Sequence, residues 1–241
     1  MLKRIFIRAS LIFFGLAGLT TPLPAAAHYI WIEQDDVHQT RLFFGEYQDK
    51  EREKSPGRLD EIKAPQAWLI DANGKRQPLE ATRRADHFDL GVARHGAAPV
   101  IAEELSYEVK DWTKHGHGVV KPMFYARFIP TVVASLGKPE LMLDILHTSF
   151  DGNSSKTFTV YFDGTPSANT KVKIHAPDFS TSEQVTDESG KVSFPTPWTG
   201  EYVLEVIHLE KRPGQFQGQK FEAFRHRATL TFNLPESPRG K

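Results

Sequence analysis

TFTVYFDGTPSANTKVKIH, residues 157–175, holds two short β-branched and aromatic runs around a turn. Thr157 to Phe162 reads as a strand, and Asp163-Gly164 supplies the turn. Thr170 to His175 alternates apolar with polar side chains, as a half-buried strand does. The rhythm repeats downstream. Asp187-Glu188-Ser189-Gly190 turns into Lys191-Val192-Ser193-Phe194, Gly200 precedes the run Glu201 to His208, and Ala228 to Phe232 closes the unit. Strands about ten residues apart with turns between them predict a small antiparallel sandwich.

Upstream the periodicity is also that of strands. Tyr29-Ile30-Trp31-Ile32, Arg41-Leu42-Phe43-Phe44 and Ala67-Trp68-Leu69-Ile70 are short apolar runs, and Asp71-Ala72-Asn73-Gly74 is a turn. No long window keeps a 3.6 period; Asp60 to Ala64 and Glu103 to Leu105 form at most short helical turns. The charged stretch DKEREKSPGRLD, residues 49–60, reads as a solvated loop or short helix. Asp151-Gly152-Asn153-Ser154-Ser155 is the best linker. The chain is therefore expected to be mainly β, with two β-sandwich-like domains at residues 28–150 and 156–235. The second is expected to be an Ig-like antiparallel sandwich.

Residues 1–27 read as a cleavable signal peptide. Lys3, Arg4 and Arg8 make a positive start, Leu11 to Leu19 an apolar core, and Ala25-Ala26-Ala27 a small-residue cleavage site. A spanning helix needs about 20 apolar residues, and Arg8, Thr20, Thr21, Pro22 and Pro24 interrupt this one. Cleavage after Ala27 makes His28 the mature N-terminus and places the protein in the periplasm.

Composition narrows the chemistry. The chain has 30 basic and 30 acidic residues, three of the basic ones in the leader, so the mature part is mildly acidic and offers no footprint for nucleic acid. No later segment is apolar enough to span a bilayer. There is no cysteine and there are three methionines. An exported chain without disulfides relies on buried apolar surface. Any metal chemistry must use imidazole, carboxylate, backbone or the terminal amine.

FTVYFDGTPSANTKVKIHAPD (158–178), TDESGKVSFPTPWTGEYVLEVIH (186–208) and FRHRATLTF (224–232) together resemble the C-terminal half of a bacterial periplasmic family. Ala27-His28-Tyr29-Ile30-Trp31 resembles its N-terminus, so the likeness covers most of the mature chain. That family is described as the periplasmic component of nickel/cobalt uptake systems, and also as a domain of unknown function. The pattern Gly164-x-Pro166, Val172 and Thr186-Asp187-x-x-Gly190-x-Val192-x-Phe194 is shared by carboxypeptidase-regulatory-like sandwich modules; it bears on fold and not on chemistry. The resemblance implies His208, Glu210 and His226, in an H-x-E…R-H pattern, as candidate ligands.

The ten histidines all lie after the leader. A terminal His28 offers its amine and Nδ1 as a chelate, which a second imidazole completes in a three-nitrogen arrangement suited to copper(II) or nickel(II). His115-Gly116-His117-Gly118, if extended, points both imidazoles to one side. His208 and His226, at the rim of neighbouring strands, are expected to lie near each other. His147, in an apolar run, is read as structural, and His38, His87, His95 and His175 as surface groups.

No nucleophile elbow, P-loop, dinucleotide fingerprint or H-E-x-x-H is present, so no catalytic residue is assigned. Asp35-Asp36 and Glu103-Glu104 read as solvated, and Trp31, Trp68, Trp112 and Trp198 as core residues. The expected function is binding of a divalent transition ion (nickel, cobalt, copper or zinc) and its delivery to a membrane metal transporter. A copper oxidase built on a histidine brace at His28 and a metal-free scaffold module are the rival readings.

Overall fold

The computed structural model describes residues 28–92, 98–130, 137–149 and 155–235. The expected leader, residues 151–154 of the expected linker, and His95 lie outside them. Among the described residues the regular structure is β, apart from two 3-10 segments, Arg58–Glu61 and Thr113–His115. No helix there is long and apolar enough to cross a membrane.

Three sheets stack in layers. The central one has nine strands, ordered Thr181–Val185, Lys171–His175, Gly200–Glu210, Ala223–Leu234, Val119–Ile129, Val100–Glu104, Gln66–Ile70, Arg76–Leu79, with Lys110–Asp111 on Val119–Ile129. Its pairings are antiparallel except at the middle. There Val119–Ile129 and Ala223–Leu234 run parallel from Val120 opposite Ala223 to Ile129 opposite Phe232. One continuous sheet thus carries strands from both halves of the sequence.

Side-chain alternation explains the layers. Successive strand residues face opposite ways, so Ile101, Tyr125 and Leu204 enter one core while Val100, Ala102, Phe124, Ala126 and Val203 enter the other. The first core is closed by the sheet of Leu143–Ser149, Ser155–Phe162, Thr165–Pro166 and Lys191–Pro195. The second is closed by Tyr29–Gln34, Gln39–Glu46, Phe88–Val92 and Thr82–Arg83, with Glu51–Arg52 added to Gln39–Glu46. Tyr29, Ile30, Trp31 and Ile32 are all buried, which is why that run is continuously apolar. Each such side chain contributes about 1.5–3 kcal/mol relative to exposure.

Polar contacts fix the layers in register. Arg127 grips Asp144 through two bonds of 2.8 and 2.6 Å, tying the central sheet to the layer that holds Leu143–Ser149. On the opposite face Thr229 Oγ1 donates to the Ile30 carbonyl at 2.9 Å, and Arg227 lies 4.2 Å over the Tyr29 ring.

Three readings of the sequence change here. Glu103 and Glu104 belong to a strand, and Glu104 is buried, accepting from Ala64 N and Ser106 N. His175 is buried too, bonded to Thr181 Oγ1 at 3.0 Å and facing Glu205 at 3.6 Å. Trp198 is half exposed, while Trp31 is core. Isolated residue types do not reveal which strand ends a neighbouring layer covers.

Candidate metal centre

His28 enters the first strand of the layer above the second core. Tyr29 lies opposite Gly45, so the His28 ring falls beside Glu46. The chain then reverses through Tyr47–Lys50 and returns, with Arg52 opposite Gly45 and Glu51 opposite Glu46. Glu53 N donates to Phe44 O at 2.9 Å, extending the returning segment past the paired residues. Glu51 and Glu53, two apart on extended backbone, project to the same side, toward His28.

This return is close. Gly45 has φ +150, and a β-carbon there would lie 2.1 Å from the Glu51 carbonyl oxygen. Glycine is therefore required where the two chains cross. Beyond it the Arg58–Glu61 turn is fixed by Asp60, which accepts from Gly57 N at 2.9 Å and Ser55 Oγ at 2.7 Å. That turn presents Arg58 to the histidine.

The result is a compact charged group. His28 Nε2 is 2.5 Å from Glu53 Oε1 and 3.9 Å from Glu51 Oε1, and Nδ1 is 3.3 Å from Glu46 Oε1. Arg58 Nη1 is 2.8 Å from His28 Nε2 and 3.3 Å from Glu53 Oε1. The imidazole is buried, with 4% of its side chain exposed, while Glu51 opens the group to solvent at 49%. Burial and Arg58 oppose a charge on His28, but Glu46 and Glu53 outweigh them and raise its pKa above the ordinary 6.5. Glu46 is held below its ordinary value: burial would raise it, and the contacts with His28, Arg227 and Gln48 prevail.

His28, Glu51 and Glu53 offer one ligand atom each within 4.8 Å of one another. In a tetrahedral site with bonds of about 2.1 Å, ligand atoms stand about 3.4 Å apart. The Glu51 oxygen is near that spacing, and the Glu53 oxygen would have to withdraw by about an ångström. Glu46 Oε1 faces Nδ1 at 3.3 Å, outside hydrogen-bond geometry, and would set its charge behind the ring while Nε2 meets the ion.

Among the described residues no other three-membered group of this kind occurs, so His28 stands apart from the remaining candidates. His208 and His226 do sit directly opposite each other on neighbouring strands. His226 Nε2 is 3.2 Å from Glu210 Oε2 and Nδ1 is 3.0 Å from the Tyr125 hydroxyl. Burial lowers the His226 pKa. Glu210 is also gripped by Arg212 at 2.7 and 3.2 Å, and the His208 ring stacks on Phe162 with centroids 3.9 Å apart. Both nitrogens of His226 are thus engaged by side chains, and the Glu210 carboxylate is shared with a guanidinium.

The HGHG segment is not extended. Thr113–His115 is a 3-10 turn, and Gly116 and Gly118 have φ of 78 and 70. His115 and His117 are exposed in this loop, without the common side that a strand would give them. Burial and the charge of Arg225 lower the His117 pKa. His147 is buried edge-on to Phe158, as befits a structural residue.

Glu51, Glu53 and Arg58 fall in the stretch read as solvated loop or short helix. The signal that finds them is the E-x-E spacing of Glu51 and Glu53 immediately after a strand and a tight turn, which is compatible with a returning strand whose acids share one side.

No known family profile matches the sequence, and no curated protein matches it. Among solved structures, a chain described as "Biofilm associated protein - BSP domain" aligns with a TM-score of 0.21 and 9% identity, over 87% of this chain and 30% of that one. A likeness at that score carries no functional weight.

Proposed function

We propose that the mature protein binds a divalent transition-metal ion through His28 Nε2, Glu51 and Glu53 and carries it in the periplasm to a membrane metal transporter. The observation behind this reading is the buried imidazole with two carboxylates converging on one nitrogen and a third on the other. The absence of cysteine and the resemblance of the N-terminal and C-terminal blocks to periplasmic nickel/cobalt uptake components point the same way. Removal of residues 1–27 would add the His28 α-amine as a further nitrogen donor.

The donor set shapes the selectivity. One imidazole with carboxylates suits nickel, cobalt or zinc, and a soft copper(I) ion finds no thiolate or thioether among the three. The copper brace reading requires a second imidazole in this group, and none of the described histidines joins it.

Calorimetric titration of the processed protein with nickel, cobalt, copper and zinc tests the proposal. Binding should occur for at least one ion and weaken at least tenfold in the Glu51→Gln, Glu53→Gln double variant. Wild-type affinities all weaker than about 1 mM, or −4.1 kcal/mol, would overturn it.

A further inference from the structure

Arg58 stands where the ion would stand. Its Nη1 lies 2.8 Å from His28 Nε2 and 3.3 Å from Glu53 Oε1, the two atoms that would bind metal. A guanidinium N–H can only donate and a carboxylate can only accept, so Nε2 either turns its lone pair, the electron pair a metal ion requires, to Arg58 or gives a proton to Glu53 at 2.5 Å. The nitrogen cannot accept from Arg58 and ligate an ion at once. It also cannot point a proton at Glu53 while it accepts from Arg58. Three occupants, a proton, a guanidinium and an ion, compete for one lone pair.

The guanidinium also has somewhere to go. Arg58 Nε is 3.6 Å from Glu61 Oε1, one turn along the same 3-10 segment. Glu61 is itself anchored, accepting from the Tyr107 hydroxyl and from Lys110 Nζ at 2.9 Å. The Arg58 side chain is 49% exposed. Without any cation, Glu46, Glu51 and Glu53 would crowd around one imidazole, and like charges at such spacing repel strongly.

We infer that Arg58 is a built-in competing cation: it fills the His28–Glu53 position when no metal is bound and swings onto Glu61 when an ion enters. This rests on the metal-binding reading of the same site and adds its regulation. Uptake becomes an exchange of a tethered cation for a free one, so the affinity is set below what the ligands alone would give. The Arg58 side chain, exposed at the start of this turn, then differs between loaded and empty protein, a difference that a delivery partner can read. A tethered competitor also favours release, because Arg58 can re-enter as the ion leaves.

The test is calorimetry with cobalt(II), nickel(II) and zinc(II) on the processed full chain, comparing wild type with Arg58→Gln, Glu61→Gln and the double variant. Arg58→Gln should bind at least tenfold more tightly than wild type. Glu61→Gln should bind more weakly than wild type, because the displaced guanidinium loses its partner, and should have no effect once residue 58 is Gln. That non-additivity separates exchange from a merely structural role of either residue. Thermal melts check that each variant folds; should Arg58→Gln fail to fold, Arg58→Lys, which keeps the charge without the planar fork, is compared with wild type and should bind more tightly. Equal or weaker binding by Arg58→Gln in the presence of wild-type binding overturns the exchange and leaves the metal site standing. Absence of binding in wild type and every variant overturns the site itself.

Discussion

The carbonyl oxygen of Glu51 approaches Gly45 so closely that a β-carbon at residue 45 would lie 2.1 Å from it. This crossing sets the height at which Glu51 and Glu53 pass the His28 ring. It links a backbone requirement to the geometry of the proposed metal site.

Replacing Gly45 with Ala should therefore damage two properties together. The positive φ of 150 and the clash with main chain, which cannot yield as a flexible side chain can, predict a loss of at least about 1–3 kcal/mol of stability. Metal affinity should fall with it, as measured by urea unfolding and titration of the same preparation. Gly74→Ala, at φ +74 with nothing within 4 Å of the added β-carbon, gives the cost of an unclashed left-handed glycine for comparison.

Glu46 tests the orientation of the imidazole. Glu46→Gln keeps the shape but removes the charge facing Nδ1 at 3.3 Å. Affinity for the bound ion should drop about 10–100-fold, the range seen when a carboxylate behind a metal-ligating histidine is removed. The drop is read by calorimetry at fixed pH.

Arg127 and Asp144 make the opposite prediction. Their side chains are 4% and 0% exposed, and the pair sits against the other face of the central sheet from the layer that carries His28. Removing one partner leaves a buried charge alone, so Asp144→Ala should cost about 3–5 kcal/mol in chemical denaturation. In protein that remains folded, the affinity for metal should stay at the wild-type value.

Two carboxylates give the stability a pH dependence of known sign. Burial pushes the Glu205 pKa up, but Arg227 and His175 prevail and bring it from 4.5 to about 2. Its contribution is complete above pH 4.5 and is lost as pH falls toward 2. Burial, reinforced by Glu33, lifts Glu201 to about 8 against the opposing effects of Tyr47 and Arg52. Its contribution is complete below pH 4.5 and is lost as pH rises through 8. Urea midpoints across pH should fall on both sides, with Glu205→Gln flattening the acid limb and Glu201→Gln the alkaline one.

Much of the fold is legible in the sequence because strands report themselves locally. Tyr29–Gln34, Gln66–Ile70, Lys171–His175 and Lys191–Pro195 each contain or match a run picked out by alternation and turn residues. The parallel junction of Val119–Ile129 with Ala223–Leu234 is not legible, because it pairs residues about a hundred positions apart and leaves no local mark. The site divides in the same way. His28 is visible from the expected leader boundary, and the His208–His226 pairing from two strand ends. Glu51, Glu53 and Arg58 are hidden because charge density in a short segment looks the same whether it faces water or a neighbouring imidazole.

The most direct measurement is anomalous diffraction from crystals of the processed protein loaded with cobalt(II). One strong peak is expected, bonded to His28 Nε2, with Glu51 and Glu53 as oxygen ligands and Arg58 turned to Glu61. A peak at His208 and His226, or in the His115–His117 loop, with none at His28, would contradict the proposed site.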